Sequence, residues 1–132
     1  MNKLTTSRIL IILAHALVGW ALCAATMGIG MAVTTLQTAL IVHAIGAPIF
    51  FFGVSLLYFS RFHYTTPVPT ALIFVGLVMV VDFLLVGLVI NKSLDMFTSA
   101  LGTWIPFVLI FISTLLTGRV VTRRAATTVR PA

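Results

Sequence analysis

The chain is poor in everything from which a water-facing surface is made. Only 8% of its 132 residues are charged, and just two are acidic, Asp82 and Asp95. Soluble globular domains carry about 25% charged residues, so a water-soluble globule cannot be assembled from this composition. A single cysteine, Cys23, excludes an intrachain disulfide and any two-thiol zinc or redox motif. No glycine-rich loop links a strand to a helix, so nothing is built to cradle a nucleotide's phosphates. With two carboxylates and no nucleophile flanked by a base and an orienting group, hydrolytic chemistry lacks its parts. The chain is read as a non-enzyme. The five methionines are scattered rather than clustered, and no metal or cofactor is expected.

What is abundant is apolar sequence, 61% of the chain. It comes in runs that match the roughly 20 residues a helix needs to cross a bilayer. Four runs stand out: 9–27, 36–59, 68–90 and 97–117. A transmembrane barrel would alternate apolar and polar residues, and these runs do not. The expectation is an all-α integral membrane protein forming one four-helix domain, with a basic tail at 118–132. Short loops make successive helices antiparallel, giving two hairpins. The first run has the basic flank of a signal peptide, but it is longer than an h-region of about 7–15 residues. Leu22, just before Cys23, is also too large for a lipoprotein cleavage site. The run is expected to remain as a span.

The net charge of +6 is accounted for by topology. Lys3, Arg8, Arg61, Arg119, Arg123, Arg124 and Arg130 all fall on one side if both termini are cytoplasmic, and Lys92 faces the other side near Asp95. This is the positive-inside distribution, and it predicts the cytoplasmic membrane with both ends inside. Nucleic acid is not needed to explain it. The tail also suits anionic headgroups, at about 1 kcal/mol per basic residue. In the second loop, SRFHYTTPVP, Pro67 and Pro69 fit a helix entry, where a missing N–H costs nothing. Tyr58, Phe59, Phe62 and Tyr64 resemble an interfacial aromatic belt. His63 is assigned no chemistry.

Two of the runs resemble each other. At a fixed offset Pro48 falls on Pro106, Ser55 on Ser113 and Arg61 on Arg119. The first and third runs match poorly at that offset, so a parallel repeat of the transporter kind stays one of two readings, chance likeness between apolar helices being the other.

The polar residues inside the runs carry the functional question. At about 1.5 Å per residue, Asp82 lies roughly 12 Å from the outer end of its run and His43 roughly 10 Å from the outer end of its own. Trp104 reaches a similar depth, and Cys23 and Thr26 occupy the outer part of the first run. A carboxylate there costs roughly 2.5–3.5 kcal/mol on insertion scales, so it must protonate, meet a cation or accept hydrogen bonds. His43 and Trp104 both offer ring N–H donors. Pro48 and Pro106 would free the carbonyls of Ala44 and Gly102 one turn earlier, and a carboxylate beside freed carbonyls is how cation sites near the membrane middle are built. Asp82, His43, Trp104, Ala44 and Gly102 therefore form the candidate proton or cation site. The plainer reading is that Asp82 only hydrogen-bonds to Trp104 or His43 and joins two helices, an effect of about 0.6 kcal/mol.

His15, Cys23 and Thr26 share a small, polar stripe with Gly19 that should face the bundle. His15 and His43 differ in depth by something like 10 Å within a core of about 30 Å, which disfavours one haem between them. A haem with Met or another chain's His as second ligand stays open. Cys23, in apolar surroundings, should be inert.

Three functional readings follow. The first is a small proton- or cation-handling transporter or channel-like protein, oligomeric because four short helices rarely enclose a pathway alone. The second is a non-catalytic subunit of a larger membrane complex, and the third a membrane b-haem redox protein.

Overall fold

The computed structural model describes residues 5–90 and 103–129, and all its regular structure is helical. The helices are α1 (Thr6–Val33), α2 (Leu36–Arg61), α3 (Pro67–Val81) and α4 (Ile105–Val129). A π-helical stretch, Asp82–Ile90, carries α3 onward, and residues 103 and 104 form a π turn ahead of α4. Four helices are long and apolar enough to cross a membrane.

Threonines set the helix starts. Thr5 accepts the Arg8 N–H at 3.3 Å and Thr35 accepts the Thr38 N–H at 3.3 Å, each satisfying a donor that the first turn leaves open. Between α1 and α2 stand only Thr34 and Thr35. The Thr34 backbone N–H and hydroxyl both donate to the Gly30 carbonyl, at 2.8 and 2.6 Å. The expected loop over 28–35 is therefore mostly helix, since a glycine pair does not stop a helix whose end is closed by a threonine. The fourth helix likewise runs past the expected boundary at Thr117 to Val129. Its basic residues are good helix formers, so polarity ended the apolar run without ending the helix. The expected third loop and the beginning of the fourth run, at 97–102, lie outside the described residues.

Neighbouring pairs form a ring: α1 packs on α2, α2 on α4, α4 on α3, and α3 on α1. Small residues let helix backbones approach closely. Glycines mark those approaches. A Cβ on Gly19 would stand 2.5 Å from Phe51 Cζ, and one on Gly30 would stand 2.9 Å from Ala39 Cβ. One on Gly118 would meet Phe59 Cζ at 2.7 Å and Pro67 Cβ at 2.9 Å. The core between the helices is Ile12, Ala16, Phe51, Tyr58, Phe74, Phe107, Ile110 and their neighbours.

Polar pairs join α2 to α4. The buried Ser55 hydroxyl donates to Thr114 Oγ1 at 3.2 Å, and the Ser113 hydroxyl donates to the Pro48 carbonyl at 2.7 Å. Other hydroxyls bond back into their own helices. Thr26 donates to the Leu22 carbonyl at 2.9 Å and Thr117 to that of Ser113 at 2.7 Å, the i−4 back-bonding that gives a hydroxyl within an apolar helix an acceptor.

The α2–α3 connection is organised by one buried phenol. Tyr58 Oη accepts the backbone N–H groups of Tyr64 and Thr65, at 3.1 and 3.0 Å, and shares a 2.7 Å bond with the Thr65 hydroxyl. That hydroxyl in turn meets Thr70 Oγ1, whose own proton goes to the Thr66 carbonyl. His63 completes the turn in the left-handed region, φ 50°, with its ring edge-on to Phe59.

Candidate functional site around Asp82

Asp82 is the residue at which α3 passes from α to π winding. Its backbone N–H is shared between the carbonyls of Val78 and Met79, a three-centre bond of the kind common at helix ends. The run FLLVGLVI after Asp82 has no helical periodicity and no breaker except Gly87, so nothing in the sequence announces this change of winding.

The Asp82 carboxylate is half-buried and accepts a hydrogen bond at 2.7 Å from Trp20 Nε1 of α1. Depth along the runs points to the indole of Trp104 and misses that of Trp20. Yet a signal existed. An indole N–H in the middle of an apolar run needs an acceptor, and the sequence offers few. Cys23, one turn from Trp20, is 5% exposed. Trp20 and Asp82 thus form a polar pair across the α1–α3 contact.

Gly19 meets Phe51, so the Trp20–Asp82 level corresponds on α2 to Phe51, which is about 12 Å along the axis from His43. His43 Nδ1 is buried and makes no hydrogen bond among the described residues. Ala44 sits on the turn of His43 and is buried. Trp104 is 47% exposed, with its ring edge-on to Phe107 at 5.9 Å.

Pro48 is an interior proline of α2 and removes the N–H that would bond to the Ala44 carbonyl. The carbonyl of Pro48 itself takes the Ser113 hydroxyl. Pro106 is the second residue of α4, preceded by π winding at 103 and 104, and Gly102, whose carbonyl it would free, lies outside the described residues.

The polar stripe of α1 divides between the two levels. His15 Nδ1 stands 2.7 Å from its own helix's Ile11 carbonyl, and the ring packs edge-on to Tyr58 and Phe62. Tyr58 and His43 are about 22 Å apart along α2, so the two histidines are further apart in level than the sequence estimate and do not face a common haem. Thr26 is taken up by Leu22. Among the described residues, no three His, Cys, Asp or Glu side chains gather as a metal site.

Chemically, the site is one carboxylate with a fixed N–H donor on one oxygen, and its second oxygen can take a proton or a cation. No known protein family, curated protein or solved structure matches this chain.

Proposed function

We propose that the chain crosses the cytoplasmic membrane four times as two antiparallel hairpins, with both termini inside, and that Asp82 takes up a proton or small cation within an oligomeric transporter or channel. Membrane insertion is supported by the outward face. Leu10, Ile29, Val33, Ile45, Leu72 and Val89 are all at least 59% exposed, an apolar coverage far beyond what a water-facing monomer tolerates. The orientation is supported by charge. Arg8 stacks on Tyr64 of the α2–α3 connection at 4.9 Å, and Gly118, beside Arg119, meets the first residue of α3. The basic residues of three segments therefore gather at one end of the bundle.

The observation that carries the functional reading is the position of Asp82, a hydrogen-bonded acid where the helix changes winding. Replacing it with Asn keeps an acceptor for Trp20 and removes the titrating group. Proteoliposomes carrying Asp82→Asn should lose proton- or cation-dependent flux relative to the native chain. Unchanged flux sinks the reading. The Trp20 bond also favours a second one, in which the acid only ties α1 to α3 in a non-catalytic subunit of a larger membrane complex; intact flux and a stable heteromer on co-purification would support it.

A further inference from the structure

We propose that the groove between the start of α3 and the end of α4 seats the phosphate of an anionic phospholipid. The inference rests on the membrane-spanning reading alone and is independent of any role for Asp82. The groove has a volume of about 400 Å³ and is lined by Thr66, Pro67, Val68, Arg119, Thr122 and Arg123. Arg119 and Arg123 are one turn apart on the same face of α4, a like-charge spacing that destabilises a helix. They face the first turn of α3, itself the positive end of a helix dipole. The chain has eight basic and two acidic residues, and Asp82 is committed to Trp20. Most of its positive charge must therefore be balanced by anions from outside the chain.

The donors of the groove suit phosphate oxygens. Thr66 caps α3 without a side-chain hydrogen bond to the helix. Pro67 and Pro69 have no N–H, and the Thr70 N–H goes to the Thr66 carbonyl at 3.1 Å. Val68 is left as the first-turn residue whose N–H the helix does not use, and it lines the groove. The Thr122 hydroxyl is hidden from solvent and has no hydrogen-bond partner among the described residues, a costly state for a buried polar group that a phosphate oxygen relieves. Two guanidinium groups, a hydroxyl and a backbone N–H make a phosphate-binding set.

A lipid, rather than free phosphate, is favoured by what lies alongside. One turn further along each helix are the exposed apolar side chains Leu72, 59% exposed, and Leu116, 55% exposed. They offer an acyl chain a path out of the groove toward the hydrocarbon. Arg8 and Arg61 belong to the same end of the bundle, where headgroups would lie.

The test uses the full chain in detergent micelles, read by native mass spectrometry and by thermal melting. Dioleoylphosphatidylglycerol, dioleoylphosphatidylcholine and inorganic phosphate are added separately. The native chain should retain phosphatidylglycerol and melt higher with it, with little response to the other two. The double variant R119Q/R123Q should weaken phosphatidylglycerol binding at least about tenfold, the size expected from losing one charge-assisted bond or more. Thr122→Val, nearly isosteric and safe for the fold, should weaken it by a smaller factor. Arg61→Gln removes a charge at the same end outside the groove and should leave it within about twofold. The proposal is overturned if R61Q loses as much as the double variant, if phosphatidylcholine binds equally, if millimolar phosphate displaces the lipid, or if the native chain retains none. Recovery of every variant in the membrane fraction keeps the spanning reading separate from the fate of this site.

Discussion

Trp20 of α1 donates its indole N–H to the Asp82 carboxylate of α3 across 2.7 Å. This side-chain bond joins two helices that are not consecutive in the chain, and it sits where α3 changes winding. The two partners are not equivalent under mutation. Asp82→Asn keeps a carbonyl oxygen for Trp20 and removes a charge that costs roughly 2.5–3.5 kcal/mol in hydrocarbon. Trp20→Phe leaves the acid without its donor. W20F should therefore lower stability by about 1–2 kcal/mol, while D82N should leave it unchanged or raise it. Thermal or denaturant unfolding in micelles measures both. A D82N chain clearly less stable than W20F would mean that the carboxylate is there to hold helices.

The close approach at Gly19 gives a second prediction. Phe51 is fully buried, so it cannot swing aside for a methyl group 2.5 Å from its ring. Gly19→Ala should cost about 1–3 kcal/mol, as overpacking does. Gly53→Ala, where a Cβ meets nothing within 4 Å, should be neutral or slightly stabilising through its helix propensity. Equal melting temperatures for the two variants would show that the α1–α2 contact is looser than described.

How much of this was readable beforehand follows from what each feature depends on. The four long, apolar helices are legible because length and hydropathy report them directly. The ends were less so. Thr34 extends α1 over a glycine pair, and the arginine-rich end of α4 stays helical because arginine favours helix even where it ends an apolar run. Asp82 was legible as an anomaly, since a lone acid in LVMVVDFLLVGLVI has to be explained. Its partner was not, because depth along a helix says nothing about which face a side chain takes or which helices are neighbours. Trp104 and His43 were chosen by depth, whereas Trp20 won by facing α3. The bond from Ser113 to the Pro48 carbonyl was invisible for the same reason.

The turn between α2 and α3 supplies a third prediction. Removing the Tyr58 hydroxyl strands two backbone N–H groups, those of Tyr64 and Thr65, in a half-buried place. Tyr58→Phe keeps the ring and its packing against Phe59 and Phe74, so any loss comes from the hydroxyl. About 1–3 kcal/mol is expected for buried groups left unsatisfied, together with faster proteolytic cleavage between α2 and α3. Intact protection of that connection in Y58F would show that the phenol does not organise it.

The α2–α4 contact tests whether Pro48 is a hinge or a fixed kink. A proline inside a helix leaves a carbonyl open, and kinks of this kind are commonly re-satisfied by hydroxyls from neighbouring helices. The carbonyl that Pro48 opens is that of Ala44; the Ser113 hydroxyl meets α2 one turn further on, donating to the carbonyl of Pro48 itself at 2.7 Å, with Ser55 and Thr114 bonded alongside. If the bond fixes the kink, Ser113→Ala should lower stability by about 0.6–1.7 kcal/mol, the range of interhelical hydrogen bonds in membranes. Pro48→Ala restores the backbone bond to Ala44 and should stabilise α2, and in that background S113A should cost less than it does alone. The coupling is read from the four unfolding free energies of the cycle. A coupling of zero would mean that Ser113 and the proline act independently. Flux measured on the same variants tests the proposed transport role: loss of flux in P48A without loss of stability would tie the opened backbone of α2 to it.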